Sequence, residues 1–129
     1  MKRFNCILLV DDDGASNFIT KSTIDQMQIG NEIHIELNGE KALNYVQFYS
    51  EKHNSICPEL ILLDLKMPVL DGFEFLEYLN IKKFANKNQV KTIVLTTSTH
   101  TEDLKRLDKF GVKYISKPLT PEKLTPFLN

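Results

Sequence analysis

Little in this chain of 129 residues runs to an extreme, and each shortage excludes something. Cysteine is scarce. Cys6 and Cys57 do not look like a disulfide framework or a zinc site, and they read as a strand core residue and a loop residue. Excess charge of either sign is missing. A net charge of −1 gives no general electrostatic reason to bind nucleic acid or a membrane surface. No apolar run approaches the ~18 residues of a spanning helix. No small-residue cleavage site follows Met1-Lys2-Arg3, which leads straight into a strand-like run, so no signal peptide is expected. Repeats, low-complexity tracts and linkers are also absent. What remains is one domain over residues 1–129, with 42% hydrophobic and 26% charged residues, of the soluble globular class. Together these absences favour the cytoplasm.

What is present is alternation. Apolar strand-like runs at 5–10, 32–37, 60–64, 92–96 and 113–116 are separated by amphipathic stretches. The stretch at 15–28 has a ragged apolar face. That at 39–50 carries Ala42, Leu43, Val46 and Tyr49, and that at 72–80 carries Phe73, Leu76 and Leu79. A fourth, at 101–110, carries Leu104, Leu107 and Phe110, with Gly111 as its stop and Thr99 with Glu102 as a capping box. Thr120 caps the last helix and Pro121 suits its first position, while Pro126 shortens or kinks it. Alternating βα units predict an α/β doubly wound, five-stranded parallel sheet with helices on both faces.

The chemistry collects at the ends of the strands, where open parallel sheets place their functional groups. Asp11 and Asp12 follow the run Cys6-Ile7-Leu8-Leu9-Val10, and Asp64 closes Leu60-Ile61-Leu62-Leu63. If the two strands are neighbours, three carboxylates share one crevice, and a cation is needed to relieve their repulsion. An all-oxygen cluster suits a hard divalent ion such as Mg²⁺. Thr96 ends the fourth strand, and Lys117 follows the fifth and precedes Pro118. A hydroxyl and an ammonium opposite a metal-bound carboxylate can receive a phosphoryl group. Asp64 would then be the nucleophile.

At these residues the chain resembles the receiver domain of the response regulators of bacterial two-component systems. It looks like the stand-alone, chemotaxis-regulator-like type, over the family's full length. The segments that carry the resemblance are Leu9-Val10-Asp11-Asp12-Asp13, Leu63-Asp64-Leu65-Lys66-Met67-Pro68 with Asp71-Gly72, Leu95-Thr96-Thr97-Ser98, and Lys117-Pro118. Each alone is weak, but in this order, on strands one, three, four and five, they are specific. The resemblance implies a (βα)5 flavodoxin-like receiver fold and a phosphorylation-dependent switch in a phosphorelay. It implies that Asp64 takes the phosphoryl group from a sensor histidine kinase or a histidine phosphotransfer protein. It assigns Mg²⁺ to Asp12, Asp64 and the carbonyl of Lys66, with Asp11 acting largely through water. Thr96 and Lys117 bind phosphoryl oxygens, Lys117-Pro118 is a cis peptide, and Tyr114 is the aromatic that swings inward. Such a domain is not a turnover enzyme. It promotes its own phosphorylation and dephosphorylation.

The sequence also departs from the family. The stretch from Gly111 to Lys117 is one residue short, which brings Thr97 into competition with Thr96, although counting back from Gly111 favours Thr96. Thr97 replaces a smaller residue and narrows access to the phosphate, and Gly14 stands where proline is frequent. Asp13 reads as a turn or helix-start residue. His34, His53 and His100 read as surface or loop residues, and Lys82, Lys83 and Lys87 as a solvated face. Three other readings compete. A metal-dependent aspartyl-phosphate phosphatase or phosphotransferase would want a second Asp two residues after the nucleophile, where Lys66 stands. A nucleotide- or flavin-binding domain would want a phosphate loop where Asp11-Asp12-Asp13 stand. A degenerate receiver would act by binding alone, yet every chemical group is present.

A chain ending at its fifth helix leaves no room for an output domain, so the expected output is docking to a separate, unknown protein. Nucleic acid and membrane are not expected partners, and a monomer or weak dimer is expected. The docking face implied by the moving parts runs along the fourth helix, fifth strand and fifth helix and includes Leu107, Phe110, Lys113 and Tyr114, with a short final helix from Pro121.

Overall fold

A computed structural model of the protein describes residues 3–52, 58–81 and 90–128, with the side chains of 49–52 and 81 outside that description. Five strands alternate with five helices. The strands are β1 (Phe4–Val10), β2 (Gly30–Glu36), β3 (Leu60–Asp64), β4 (Lys91–Thr96) and β5 (Lys113–Ser116). The helices are α1 (Gly14–Met27), α2 (Gly39–Lys52), α3 (Gly72–Ile81), α4 (Thr101–Phe110) and α5 (Pro121–Leu124), and a 3₁₀ turn follows at Thr125–Phe127. All pairings are parallel, in the order β2-β1-β3-β4-β5. This is the flavodoxin-like winding, in which the chain leaves β1 toward one edge and returns to β3 on the other side. The crevice at this reversal lies outside the carboxyl ends of β1 and β3.

Alternation along the central strands divides the core. Leu8, Val10, Ile61, Leu63 and Val94 point to one face and pack against Val46, Phe75, Leu76 and Leu107 from α2, α3 and α4. Ile7, Leu9, Leu60, Leu62 and Ile93 point to the other and pack against Ile24 of α1 and Leu124 of α5. These strand residues are at most 2% exposed, and each large apolar side chain so buried contributes roughly 1.5–3 kcal/mol. The near-continuous apolar runs of β1 and β3 follow from burial on both faces.

The strands and helices expected from sequence are all present. β2 begins two residues earlier than expected, at Gly30. Glycine reads as a turn signal, yet here it lies in a strand, where a Cβ would come to 2.7 Å from Ile7 Cδ1 and push that side-chain tip aside. The ragged face of α1 is real, because its buried residues are Asn17, Thr20, Thr23 and Ile24. Gly111 stops α4 at φ 69°. Thr120 caps α5 through the Lys123 N–H, with Pro121 in the first turn, and the α-helix gives way after four residues to the 3₁₀ turn that contains Pro126. Tyr49, His53, Cys57, Lys82, Lys83 and Lys87 lie outside the described side chains.

Three expectations are corrected. α4 begins one residue later than a Thr99–Glu102 box requires. His100 takes the cap position without a side-chain bond, which leaves Glu102 one place too early to reciprocate. A reciprocal box does form at α3, where Asp71 Oδ1 accepts the Glu74 N–H at 2.9 Å and Glu74 Oε1 accepts the Asp71 N–H at 3.1 Å. Cys6 is a core residue, 3% exposed, but it is disulfide-bonded rather than a free thiol. Disulfides are rare in cytosolic proteins, so the cysteines lend the cytoplasmic expectation no support. Leu107 is fully buried under α4 and does not belong to an exposed docking face.

Candidate functional site

Adjacent pairing of β1 with β3 sets Val10 opposite Leu63, so the residues that follow meet in one crevice. Asp11, Asp12 and Asp64 each bring a carboxylate oxygen to within 4.8 Å of the others. Lys117 reaches in from beyond β5, with Nζ 2.7 Å from Asp11 Oδ2 and 3.3 Å from Asp64 Oδ1. The four residues singled out from sequence at the ends of β1, β3 and β5 therefore form one cluster.

Asp11 is the most firmly held of them. Its Oδ1 accepts the Asp13 N–H at 3.0 Å, and its Oδ2 takes the lysine. Its main-chain oxygen accepts a bond from Asn17 Nδ2 at 2.9 Å. Asn17 is 5% exposed, and sequence reading missed it because an asparagine inside a helix gives no signal of its own. Asp13 proves to be the cap of α1, accepting the Ala15 N–H at 3.0 Å, and is not part of the acidic cluster. Asp12 is exposed at the mouth of the crevice.

Burial pushes the Asp64 carboxyl upward from its ordinary range. Lys117 opposes this and Asp11 adds to it, with a net upward shift. Burial alone would lower the Lys117 ammonium, but its hydrogen bond to Asp11 and its attraction to Asp64 and Asp11 outweigh that and raise it. One ammonium thus leaves the charge of three carboxylates incompletely balanced. The donor set is all oxygen, with Asp12 open to solvent, so a hard divalent cation fits the cluster. Both Asp11 oxygens are engaged, by the Asp13 N–H and by Lys117, whereas Asp12 is open to solvent.

The turn after Asp64 is shaped by Gly72. A Cβ there would lie 2.6 Å from the Asp64 carbonyl oxygen and 2.7 Å from Leu65 Cα, and the Gly72 N–H donates to the Leu65 carbonyl at 2.8 Å. Close backbone approach thus folds the Leu65–Asp71 segment over the site. Lys66 is exposed and lines a cleft with Asp12, Met67, Asp71, Asp103 and Arg106.

Thr96 is the last residue of β4 and is 3% exposed, whereas Thr97 lies beyond the strand and is exposed. The Thr96 carbonyl accepts the Lys117 N–H at 2.9 Å, which ties the two phosphate-facing candidates together through the backbone. Thr97 lines a second cleft with Ile19, Lys117 and Pro118. The Lys117–Pro118 peptide is cis, as expected. Tyr114 is 36% exposed and lies at the surface of β5. His34 is exposed on β2, where it stacks on Tyr45 at 4.1 Å and lies 2.8 Å from Glu36 Oε2, and His100 is exposed before α4.

With this geometry in place, comparison with known proteins is informative. The family model described as response regulator receiver domain matches residues 7–129. The chain is 34% identical over 119 residues to the probable methanogenesis regulatory protein FilR2 of Methanothrix harundinacea, covering 92% of this chain and 75% of that protein. It is 38% identical over 97 residues to the response regulator Rcp1 of Synechocystis, covering 75% of this chain and 64% of Rcp1. The structure of the Mn²⁺-bound form of Rcp1 superposes with a TM-score of 0.75 and 30% identity, covering 96% of this chain and 88% of that one. The phosphorylated cyanobacterial phytochrome response regulator RcpA gives a TM-score of 0.76 and 26% identity over 96% of this chain and 88% of that one.

Proposed function

Because the chain belongs to the response regulator receiver family, a family of phosphorylation-dependent signalling switches, we propose that Asp64 is its phosphoacceptor and that Mg²⁺ is its metal. The observation that carries this reading is the convergence of Asp11, Asp12, Asp64 and Lys117 at the crevice between β1 and β3. Receiver domains bind a divalent metal in an acidic pocket, and Rcp1 has been seen with Mn²⁺. Asp12, Asp64 and the Lys66 carbonyl would hold the ion here, with Asp11 oriented for a water-mediated role. The ion supplies charge neutralisation, so that a phosphoryl group can approach three carboxylates.

An Asp64 oxygen attacks the phosphorus of a phosphohistidine. The new P–O bond forms as the donor's P–N bond breaks, and that electron pair returns to the imidazole nitrogen. Lys117, already 3.3 Å from Asp64, turns one of its donors to a phosphoryl oxygen. Thr96 donates its hydroxyl proton to another, and Tyr114 moves into the space this opens. The domain is a signalling phosphoacceptor. Its proposed place is the cytoplasm, between a histidine kinase or phosphotransfer protein and a separate protein target. Phe18 and Ile19, 74% and 46% exposed on α1, offer a donor protein an apolar foothold, since Ile19 shares a cleft with Lys117 and Thr97.

The test is mass spectrometry after incubation with Mg²⁺ and a small acyl phosphate. The parent should gain one alkali-labile phosphoryl group, and Asp64→Asn should gain none. A phosphorylated Asp64→Asn protein would move the acceptor elsewhere.

A further inference from the structure

The β4–α4 connection contains a chain of hydrogen bonds that the phosphoacceptor chemistry leaves without a role. The Thr96 hydroxyl oxygen accepts the Ser98 N–H at 2.9 Å. The Ser98 hydroxyl in turn donates to Asp103 Oδ2 at 2.7 Å and accepts the His100 N–H at 3.3 Å. Asp103 stands in the first turn of α4, and fully buried Leu107 anchors that helix one turn later. His100 contributes no side-chain cap. The Ser98–Asp103 bond is therefore the side-chain link that fastens the connection to the start of α4.

We propose that Ser98 and Asp103 form a latch that holds the Thr96 hydroxyl on the Ser98 N–H and so sets the fraction of molecules in the switched state. This rests on the reading of Asp64 as phosphoacceptor. A Thr96 hydroxyl that turns toward a phosphoryl group on Asp64 has to leave the Ser98 N–H or carry Ser98 with it. Carrying Ser98 pulls on a charge-assisted bond of 2.7 Å, a length typical of strong O–H···O⁻ contacts. Both routes cost the switched state an interaction that the unswitched state keeps. An interaction made in one state only shifts the equilibrium by its own differential free energy. Neither residue touches the reacting atoms, so both are positioning residues.

The experiment titrates beryllofluoride, a phosphoryl mimic, into the full chain with Mg²⁺ present, with binding read by NMR. Apparent affinity for a ligand of the switched state rises with the fraction already switched. Ser98→Ala should therefore bind roughly three- to tenfold tighter than the parent, the range expected for the net loss of one ordinary intramolecular hydrogen bond. Asp103→Asn should move the same way. Ser98→Thr, which keeps the hydroxyl, should stay near the parent, and Mg²⁺ affinity of Ser98→Ala without the mimic should not change. Equal or weaker beryllofluoride binding by Ser98→Ala would overturn the latch while leaving Asp64 as acceptor. A parent that binds no beryllofluoride in Mg²⁺ would overturn the phosphoacceptor reading and the latch with it.

Discussion

The acidic half of the site and the half proposed to read phosphate sit on different parts of the sheet. Asp11 and Asp64 extend from β1 and β3, strands flanked on both sides and buried almost throughout. Asp11 is fixed through both carboxylate oxygens and its main-chain carbonyl. Tyr114 and Lys117 come from β5, an edge strand of four residues of which only Ile115 is buried, and from the residue just beyond it. The Thr96 hydroxyl accepts a single local backbone N–H. The half that must hold charge in place is built into the rigid centre. The other half draws Tyr114 from an exposed edge strand, where local stability is usually lower.

The sharpest way to break that contrast is to disturb the rigid half through its backbone. Gly72→Ala puts a Cβ against the Asp64 carbonyl oxygen and Leu65 Cα, neither of which can swing aside as a side-chain tip could. It should destabilise the domain by about 3 kcal/mol, the upper part of the overpacking range, and weaken Mg²⁺ binding. Gly14→Ala is the matched control. Nothing lies within 4 Å of its Cβ, so it should change stability by no more than about 0.5 kcal/mol. Urea unfolding of the two variants with and without Mg²⁺ measures both effects, and equal losses would mean that the turn after Asp64 is not rigid.

A smaller effect should come from charge. The Asp64 carboxyl is raised in the folded chain, first by burial, so the native state holds this proton more tightly than the unfolded state does. Stability without metal is then full below the ordinary carboxylate range and falls as pH rises through the raised native value. Lys117, also raised, adds a second loss only at alkaline pH, as its native value is passed. Asp64→Asn should remove the first slope and stabilise the metal-free domain at neutral pH by on the order of 1 kcal/mol. A divalent cation would bind the ionised form, so stabilisation of the parent by added Mg²⁺ should grow with pH. Thermal unfolding from pH 4 to 8 checks this, and a parent that gains stability across that range without metal would reverse the assigned sign.

Legibility in the sequence followed the same division. β1 and β3 stand out as unbroken apolar runs, and the carboxylates at their ends pair into a cluster once the two strands are neighbours. Asp11, Asp12, Asp64 and Lys117 are brought together as expected. What could not be read are contacts whose partners are set by the fold. Asn17 looks like any helical polar residue until its amide is seen on the Asp11 carbonyl. Ser98 and Asp103 are five residues apart with no pattern between them. The α4 cap was misplaced because Thr99–Glu102 has the right spacing and the helix starts one residue later. Helical periodicity puts Leu107 on the apolar stripe of α4, but a face inferred from the moving parts does not say which of the stripe's residues the core covers.

The smallest test concerns the segment that joins the two halves. Val69, between Asp64 and α3, is 73% exposed and has φ 70°. That left-handed conformation is unfavourable for a β-branched residue, and its exposed side chain recovers little by packing. Asparagine tolerates the same conformation through local hydrogen bonding and does not bring the extra unfolded-state freedom of glycine. Val69→Asn should therefore stabilise the domain by about 0.5 kcal/mol, visible as a higher denaturation midpoint with an unchanged slope. Mg²⁺ affinity should hold, because Asp64 and Gly72 keep their backbone contact whichever side chain stands at 69. A loss of metal affinity would show that Val69 helps place the Lys66 carbonyl, and the rigid half of the site would then extend further along this loop than the Gly72 contact alone implies.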